Sequence, residues 1–262
     1  MSRIAIIGGS GFASFPGLEA LGEETVETPF GQPSAPIRSG HLAGREVFFL
    51  ARHGVDHRIP PHAVNYRANI WALKSLGVER VVGLAAVGGI HGAYAPRMLA
   101  VPDHLIDYTH GRDQTFHEGG DAGVVHIDFT RPYCESLRGE LLRLAGELGI
   151  NMVDGGTLGV TQGPRLETAA EIRRMERDGC DLVGMTGMPE AALARELGLC
   201  YASLAYVVNW AAGKVEAEIQ FTTLQTNIAA CTGPIQRLLT ALVSAGTLYQ
   251  PGITDRSASG TA

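Results

Sequence analysis

Short apolar runs alternate along this chain with stretches in which apolar residues recur every three to four positions, the pattern of strands interleaved with helices. Residues 4–7, 46–51, 80–87, 98–106, 151–160, 181–185 and 200–208 predict strands. The run EVFFLA at 46–51 concentrates β-branched and aromatic side chains, as a strand buried on both faces does. Pro60 and Pro61 suit a first helical turn, and Tyr66, Ile70 and Leu73 then share one face, closed by Gly77. Further helices are predicted over 132–148, where Leu137, Leu141, Leu144 and Leu148 form a stripe, over 189–197 before Gly198, and over 222–242 with a kink at Pro234. The expected fold is α/β: a single domain, residues 1–249, with a central mixed, largely parallel β-sheet flanked by helices. Residues 250–262 are small and polar with no apolar face, and are expected to be a disordered tail.

Composition narrows the classes of function. With 262 residues, 45% of them hydrophobic, the chain can bury one sizeable core. A net charge of -6 without a Lys/Arg cluster argues against a general nucleic-acid binder, so an anion must be met by local groups. Cys134, Cys180, Cys200 and Cys231 are widely spaced, form no CxxC pair, and read as reduced core thiols rather than zinc ligands. No basic leader followed by a long apolar run is visible, and no stretch approaches the length of a membrane span, which predicts a cytoplasmic protein without a membrane partner.

Candidate chemistry collects at strand ends. Arg52 and His53 follow the apolar run at 46–51, and the carboxyl edge of an open α/β sheet is where ligands bind. Arg presents a planar fork of donors to a phosphate, and an adjacent His adds a donor; a surface Arg beside a satisfied His is the plainer alternative. The opening IAIIGGSGF runs from a strand into a glycine-rich turn whose backbone N–H groups can face an anion, with Ser10 adding a hydroxyl. A dinucleotide site would need the GxGxxG spacing, but Ser14 stands where the third glycine belongs.

Longer strings carry a resemblance. IIGGSGF, TPFG at 28–31, LARHG at 50–54, VNYRANIWALK at 64–74, GPRLET at 163–168 and MTGMPEAALARELG at 185–198 are similar to the trimeric purine nucleoside phosphorylase family, in its methylthioadenosine phosphorylase branch, over about residues 4–212. The resemblance implies phosphorolysis, in which inorganic phosphate attacks the anomeric carbon of a purine nucleoside and releases the base and a sugar 1-phosphate. It implies no metal or other cofactor, phosphate being a co-substrate, and a homotrimer with sites near subunit interfaces. By position, Ser10, Arg52, His53 and Thr186 match the family's phosphate ligands with the Ala86 backbone beside them, and Met185 matches the methionine packed under the ribose. Asn209 and His53 are the expected catalytic groups. The types suit an oxocarbenium-like transition state, which needs positioning and charge stabilisation more than a nucleophilic side chain.

Departures from that branch refine the expectation. Methylthioadenosine phosphorylases carry an aspartate after the strand YASLAYVVNW and another two residues on, where this chain has Asn209 and Ala211. The inosine- and guanosine-cleaving branch uses asparagine at the first position with a glutamate in GP…ET, here Glu167. An asparagine amide can donate to N7 and O6 of a 6-oxopurine, and a carboxylate accepts its N1–H; a 6-aminopurine reverses both demands. Leu166 stands where the family has an aromatic wall beside the base. No histidine follows His126, so none is available after Asn209 to meet a 5'-hydroxyl, whereas IQFTTL at 219–224 offers Ile219, Phe221 and Leu224 to a 5'-methylthio group. His57 matches a histidine near the 5' site, and His126 one that reaches the neighbouring subunit's site. The expected activity is phosphorolysis of S-methyl-5'-thioinosine, with an inosine/guanosine phosphorylase and an atypical methylthioadenosine phosphorylase as alternatives. A nucleotide-binding module without turnover and an NAD oxidoreductase are the readings from other classes.

Overall fold

A computed structural model describes residues 2–12, 15, 17–120 and 123–246; Ser14, the boundary at 249 and the tail 250–262 lie outside these described residues. Eleven strands form one mixed sheet. β1 (Arg3–Gly8) lies between β4 (Arg45–Ala51) and β5 (Val78–Gly89), parallel to both. β5 also pairs in parallel with β11 (Cys200–Trp210) and, at its end, antiparallel with β10 (Leu182–Gly184). These strands read as unbroken apolar runs because they are covered on both faces; Ala5, Ile7, Val81, Val82, Leu84 and Ala205 have no more than 1% of their surface exposed. Helix α1 (Tyr66–Ser75) packs with α4 (Gly187–Glu196), and α2 (Glu135–Glu147) packs with α5 (Phe221–Ala245).

Four features differ from the sequence expectation. The antiparallel pair β2 (Glu19–Glu24) and β3 (Ile37–Leu42) extends the sheet beyond β4; β2 is exposed at all six positions, so no apolar alternation marks it. The run 98–106 splits into β6 (Leu99–Val101) and β7 (His104–Asp107) at Pro102, which has no N–H for a ladder, and the two strands join different partners. The run 151–160 splits into β8 (Met152–Asp154) and β9 (Thr157–Val160) at Gly155 and Gly156, whose φ values of 88° and 100° leave the extended region. Helix α3 (Ala169–Arg177) buries only Ile172 and Met175, too sparse a stripe to register as a period; its start is instead secured by a capping box between Thr168 and Glu171.

The cysteine expectation is half overturned. Cys134, at the N-cap of α2, and Cys200, the first residue of β11, form a disulfide across a Cα–Cα distance of 5.1 Å. Wide sequence spacing concealed a close approach fixed by the backbone, since the Cys134 N–H donates to the Tyr201 carbonyl. Cys180 and Cys231 are free and buried, as expected. By length and mean hydropathy α5 could cross a membrane, although the 18-residue expectation found no such stretch; it carries a buried stripe that includes Ile235, Leu238, Leu239 and Leu242, and it runs through Pro234 uninterrupted.

Candidate active site

The carboxyl ends of β1, β4, β10 and β11 and the later part of β5 border one cavity of about 430 Å³. Gly9 and Ser10 come from the turn after β1, Arg52 and His53 from the end of β4, Ala86 from β5, Met185 and Thr186 from the turn between β10 and α4, and Asn209 from the end of β11. Ligands of open α/β sheets bind at that edge, and the loops there add Glu167, Leu166 and His57, with Phe221, Leu224 and Ile228 from α5 lining another side. Gly9 must be glycine: a Cβ there would lie 2.7 Å from the Leu84 carbonyl oxygen and 3.2 Å from Arg52 Nη1.

At one end the buried Arg52–Glu190 pair is tied down on several sides. Arg52 is 1% exposed, and its Nε and Nη2 each donate to the Glu190 carboxylate at 2.7 Å while Nη1 donates to the Leu84 carbonyl at 2.8 Å. Glu190, fully buried, also accepts from the Tyr201 hydroxyl at 2.8 Å. Burial alone would weaken the guanidinium's hold on its proton, but the Glu190 charge and hydrogen bonds prevail and hold it above its ordinary range. Three of its five N–H groups are used, which leaves two for a ligand. His53 Nδ1 lies 2.8 Å from the Ile59 carbonyl oxygen, and burial, reinforced by the Arg52 charge, lowers its pKa to about 4. Thr186 is buried at the N-cap of α4, and the Ser10 carbonyl accepts from the Tyr206 hydroxyl.

At the other end the strand geometry itself is altered. Val207 of β11 pairs with Val87 and Asn209 with Gly88, so Val208 is an extra residue, a β-bulge. Val208 and Asn209 both line the cavity. Asn209 Nδ2 donates to the Trp210 carbonyl at 2.7 Å, which fixes the amide's orientation. Glu167 accepts from the Thr161 hydroxyl at 2.6 Å, and its other oxygen has no hydrogen-bond partner among the described residues.

Most of the residues expected from sequence therefore meet in one place. Two do not. Ala211 is buried in a small apolar cluster with Ile90, Ile172, Met175, Cys180 and Val183 rather than on the cavity wall. His126 is exposed on the segment before α2 and is not part of the cavity lining.

Besides Ile228 on the cavity wall, three polar residues were missed. Glu190 lies inside MTGMPEAALARELG, but as a polar letter in a predicted helix it gave no sign of facing Arg52. Thr161 orients Glu167 from β9. Arg112 sits in a stretch without periodicity, yet its Nη1 donates to the carbonyls of Met185 and Met188 at 2.9 and 2.6 Å and its Nη2 to Gln162 at 2.9 Å. It thus braces the turn that carries Met185 and Thr186 against the segment that leads to Glu167. No local signal in the sequence marks such a bridge.

Comparison with known proteins gives the family and agrees with the fold. The sequence model described as "Phosphorylase superfamily" matches residues 3–244. A protein of Xylella fastidiosa named "Probable S-methyl-5'-thioinosine phosphorylase" is 56% identical over 227 residues, covering 86% of this chain and 96% of its own length. The 6-oxopurine nucleoside phosphorylase of Pyrococcus furiosus is 50% identical over 218 residues, covering 81% of each chain. Among solved structures, methylthioadenosine phosphorylase from Schistosoma mansoni in complex with adenine superposes with a TM-score of 0.89 at 32% identity, over 94% of this chain and 92% of that one.

Proposed function

This chain belongs to the phosphorylase superfamily, and from that premise we propose that it cleaves S-methyl-5'-thioinosine with inorganic phosphate to hypoxanthine and 5-methylthioribose 1-phosphate. The observation that carries the reading is the convergence of Asn209 and Glu167 on the cavity that also holds Arg52, His53 and Thr186.

Phosphate sits at the tied-down end, met by the two remaining N–H groups of Arg52, the hydroxyls of Ser10 and Thr186, His53 and the backbone at Ala86. The Arg52 charge is matched by Glu190, so the ion pair binds the anion through directed hydrogen bonds without cancelling its charge. That charge is left for the sugar cation that develops as the glycosidic bond breaks, with the sugar held over Met185. No metal or organic cofactor takes part in the proposed reaction.

The base is read by complementary donors and acceptors. Because one Asn209 N–H is committed to the Trp210 carbonyl, the amide cannot donate twice to the purine, as its type alone suggested. It offers one N–H, which suits O6, and its Oδ1, which accepts N7–H as the departing base is protonated. The free Glu167 oxygen accepts N1–H. A 6-aminopurine mismatches this set, and sites built on such bonds reject the wrong analogue by about 10⁴-fold or more. Phe221, Leu224 and Ile228 give the 5' end an apolar wall.

A second reading, an inosine or guanosine phosphorylase, is favoured by the exposure of Phe221, 74% in the single chain, which leaves the 5' wall open. As to assembly and compartment, the proposal is a homotrimer in the cytoplasm; the half-exposed aromatic group of Phe30, Trp71 and Phe116, with ring centroids 5.1–5.8 Å apart, supports a contact between subunits.

Base release measured with and without phosphate on methylthioinosine, methylthioadenosine, inosine, guanosine and adenosine tests the reading. Phosphate-dependent cleavage of methylthioinosine ahead of the rest is expected, and preference for methylthioadenosine would overturn it. Asn209→Asp should raise the methylthioadenosine to methylthioinosine ratio by at least about tenfold. The single substitution is the cleaner test, because a carboxylate at Ala211 would be buried among apolar side chains.

A further inference from the structure

His53 was expected to donate a hydrogen bond to the anion, but its surroundings give it the opposite polarity. The Ile59 carbonyl oxygen, 2.8 Å from Nδ1, can only accept, so Nδ1 carries the ring proton. The ring is 7% exposed, follows the Arg52 guanidinium directly, and has the His57 ring 4.6 Å away; no carboxylate pairs with it, since Glu190 is engaged by Arg52 and Tyr201. Burial next to a fixed positive charge keeps such a ring neutral, in line with its lowered pKa of about 4. A neutral imidazole protonated at Nδ1 presents a bare lone pair at Nε2, which has no hydrogen-bond partner among the described residues, on a residue that lines the cavity.

We infer that His53 accepts a hydrogen bond from the bound anion, so that the site takes a tetrahedral oxyanion that carries a proton, hydrogen phosphate, and discriminates against one that carries none. The inference rests on the phosphate site proposed above and adds the protonation state of its ligand. One P–O–H points at Nε2, while the remaining oxygens take the donors of Arg52, Ser10 and Thr186. Sulfate, of the same shape and charge, would set an oxygen lone pair against the nitrogen lone pair. The proton balance of the reaction closes with this ligand. The C1'–O bond to phosphate forms as C1'–N9 breaks, the N9 electron pair leaves with the purine, and the purine needs one proton at N7. The sugar phosphate ends with one proton fewer than the anion brought, so that proton accounts for the one the base gains and no outside acid is consumed.

The test uses the whole enzyme at pH 7.5, following hypoxanthine release from methylthioinosine, with arsenate tried in place of phosphate and sulfate as a competitor of phosphate. Arsenate, which also carries a proton, should support turnover. Sulfate should bind roughly ten- to a hundredfold more weakly than phosphate, the range expected for losing one hydrogen bond to a charged ligand. His53→Gln supplies an amide that can donate and should bring sulfate to within about threefold of phosphate. Sulfate competing as well as phosphate in the unmodified enzyme would overturn the assignment of His53 while leaving the phosphate site intact, as would an unchanged ratio in His53→Gln. Base release that does not depend on phosphate would overturn both readings.

Discussion

The two ends of the cavity are built on different terms. At the phosphate end Arg52, Glu190, Tyr201 and His53 are buried and bound to one another or to backbone carbonyls of the core. At the nucleoside end Leu166 is 39% exposed and Phe221 74%, and only single hydrogen bonds to Thr161 and Trp210 orient Glu167 and Asn209. The groups proposed to hold phosphate are thus inseparable from the fold, while those proposed to distinguish one nucleoside from another stand on loops and strand ends. Changes at the first end should therefore cost stability together with activity, and changes at the second should redirect activity and leave the fold in place.

The largest effect is expected from Glu190→Gln, which leaves the buried Arg52 cation without its counter-charge. It should lower stability by about 3–5 kcal/mol, read from the midpoint of urea unfolding, and raise KM for phosphate more than KM for nucleoside. A stable variant with an unaltered KM for phosphate would break the comparison at its stronger end. Thr161→Val keeps the shape but removes the hydroxyl that orients Glu167. It should lower kcat/KM for methylthioinosine by about fivefold, equivalent to a hydrogen bond of roughly 1 kcal/mol, with little change in the unfolding midpoint. The smallest effect is expected from Phe221→Ala, with stability moved by less than about 0.5 kcal/mol and the preference for a 5'-methylthio over a 5'-hydroxyl substrate reduced only a fewfold. A loss well beyond tenfold in that preference would show that a neighbouring subunit covers Phe221 and that the nucleoside end is less open than one chain makes it.

Legibility from sequence followed the same division. The central strands could be read because burial on both faces writes an unbroken apolar run, and Arg52, His53 and Ser10 could be read because they stand where such runs stop. β2 escaped because an exposed edge strand carries no apolar signature, and α3 because two buried residues make no stripe, although Thr168 and Glu171 were available as its capping box. Glu190 and Arg112 were illegible for a different reason. Their roles lie in contacts 138 and 73 residues away along the chain, to Arg52 and Met185, and no local pattern encodes a partner at that distance. The Cys134–Cys200 bond was hidden in the same way. For Asn209 the residue type suggested two donors, and only the structure shows that one N–H is committed to the Trp210 carbonyl.

The bulge at Val208 makes the proposed base recognition a matter of parity as well as of chemistry. Side chains along β11 are assigned to one face or the other by odd and even count, and the extra residue resets that count one step before Asn209. Deleting Val208 would keep every functional side chain in the chain and yet turn the asparagine to the opposite face of the sheet. An insertion or deletion in this strand thus reaches the substrate preference by a route that no comparison of residue types at aligned positions would detect.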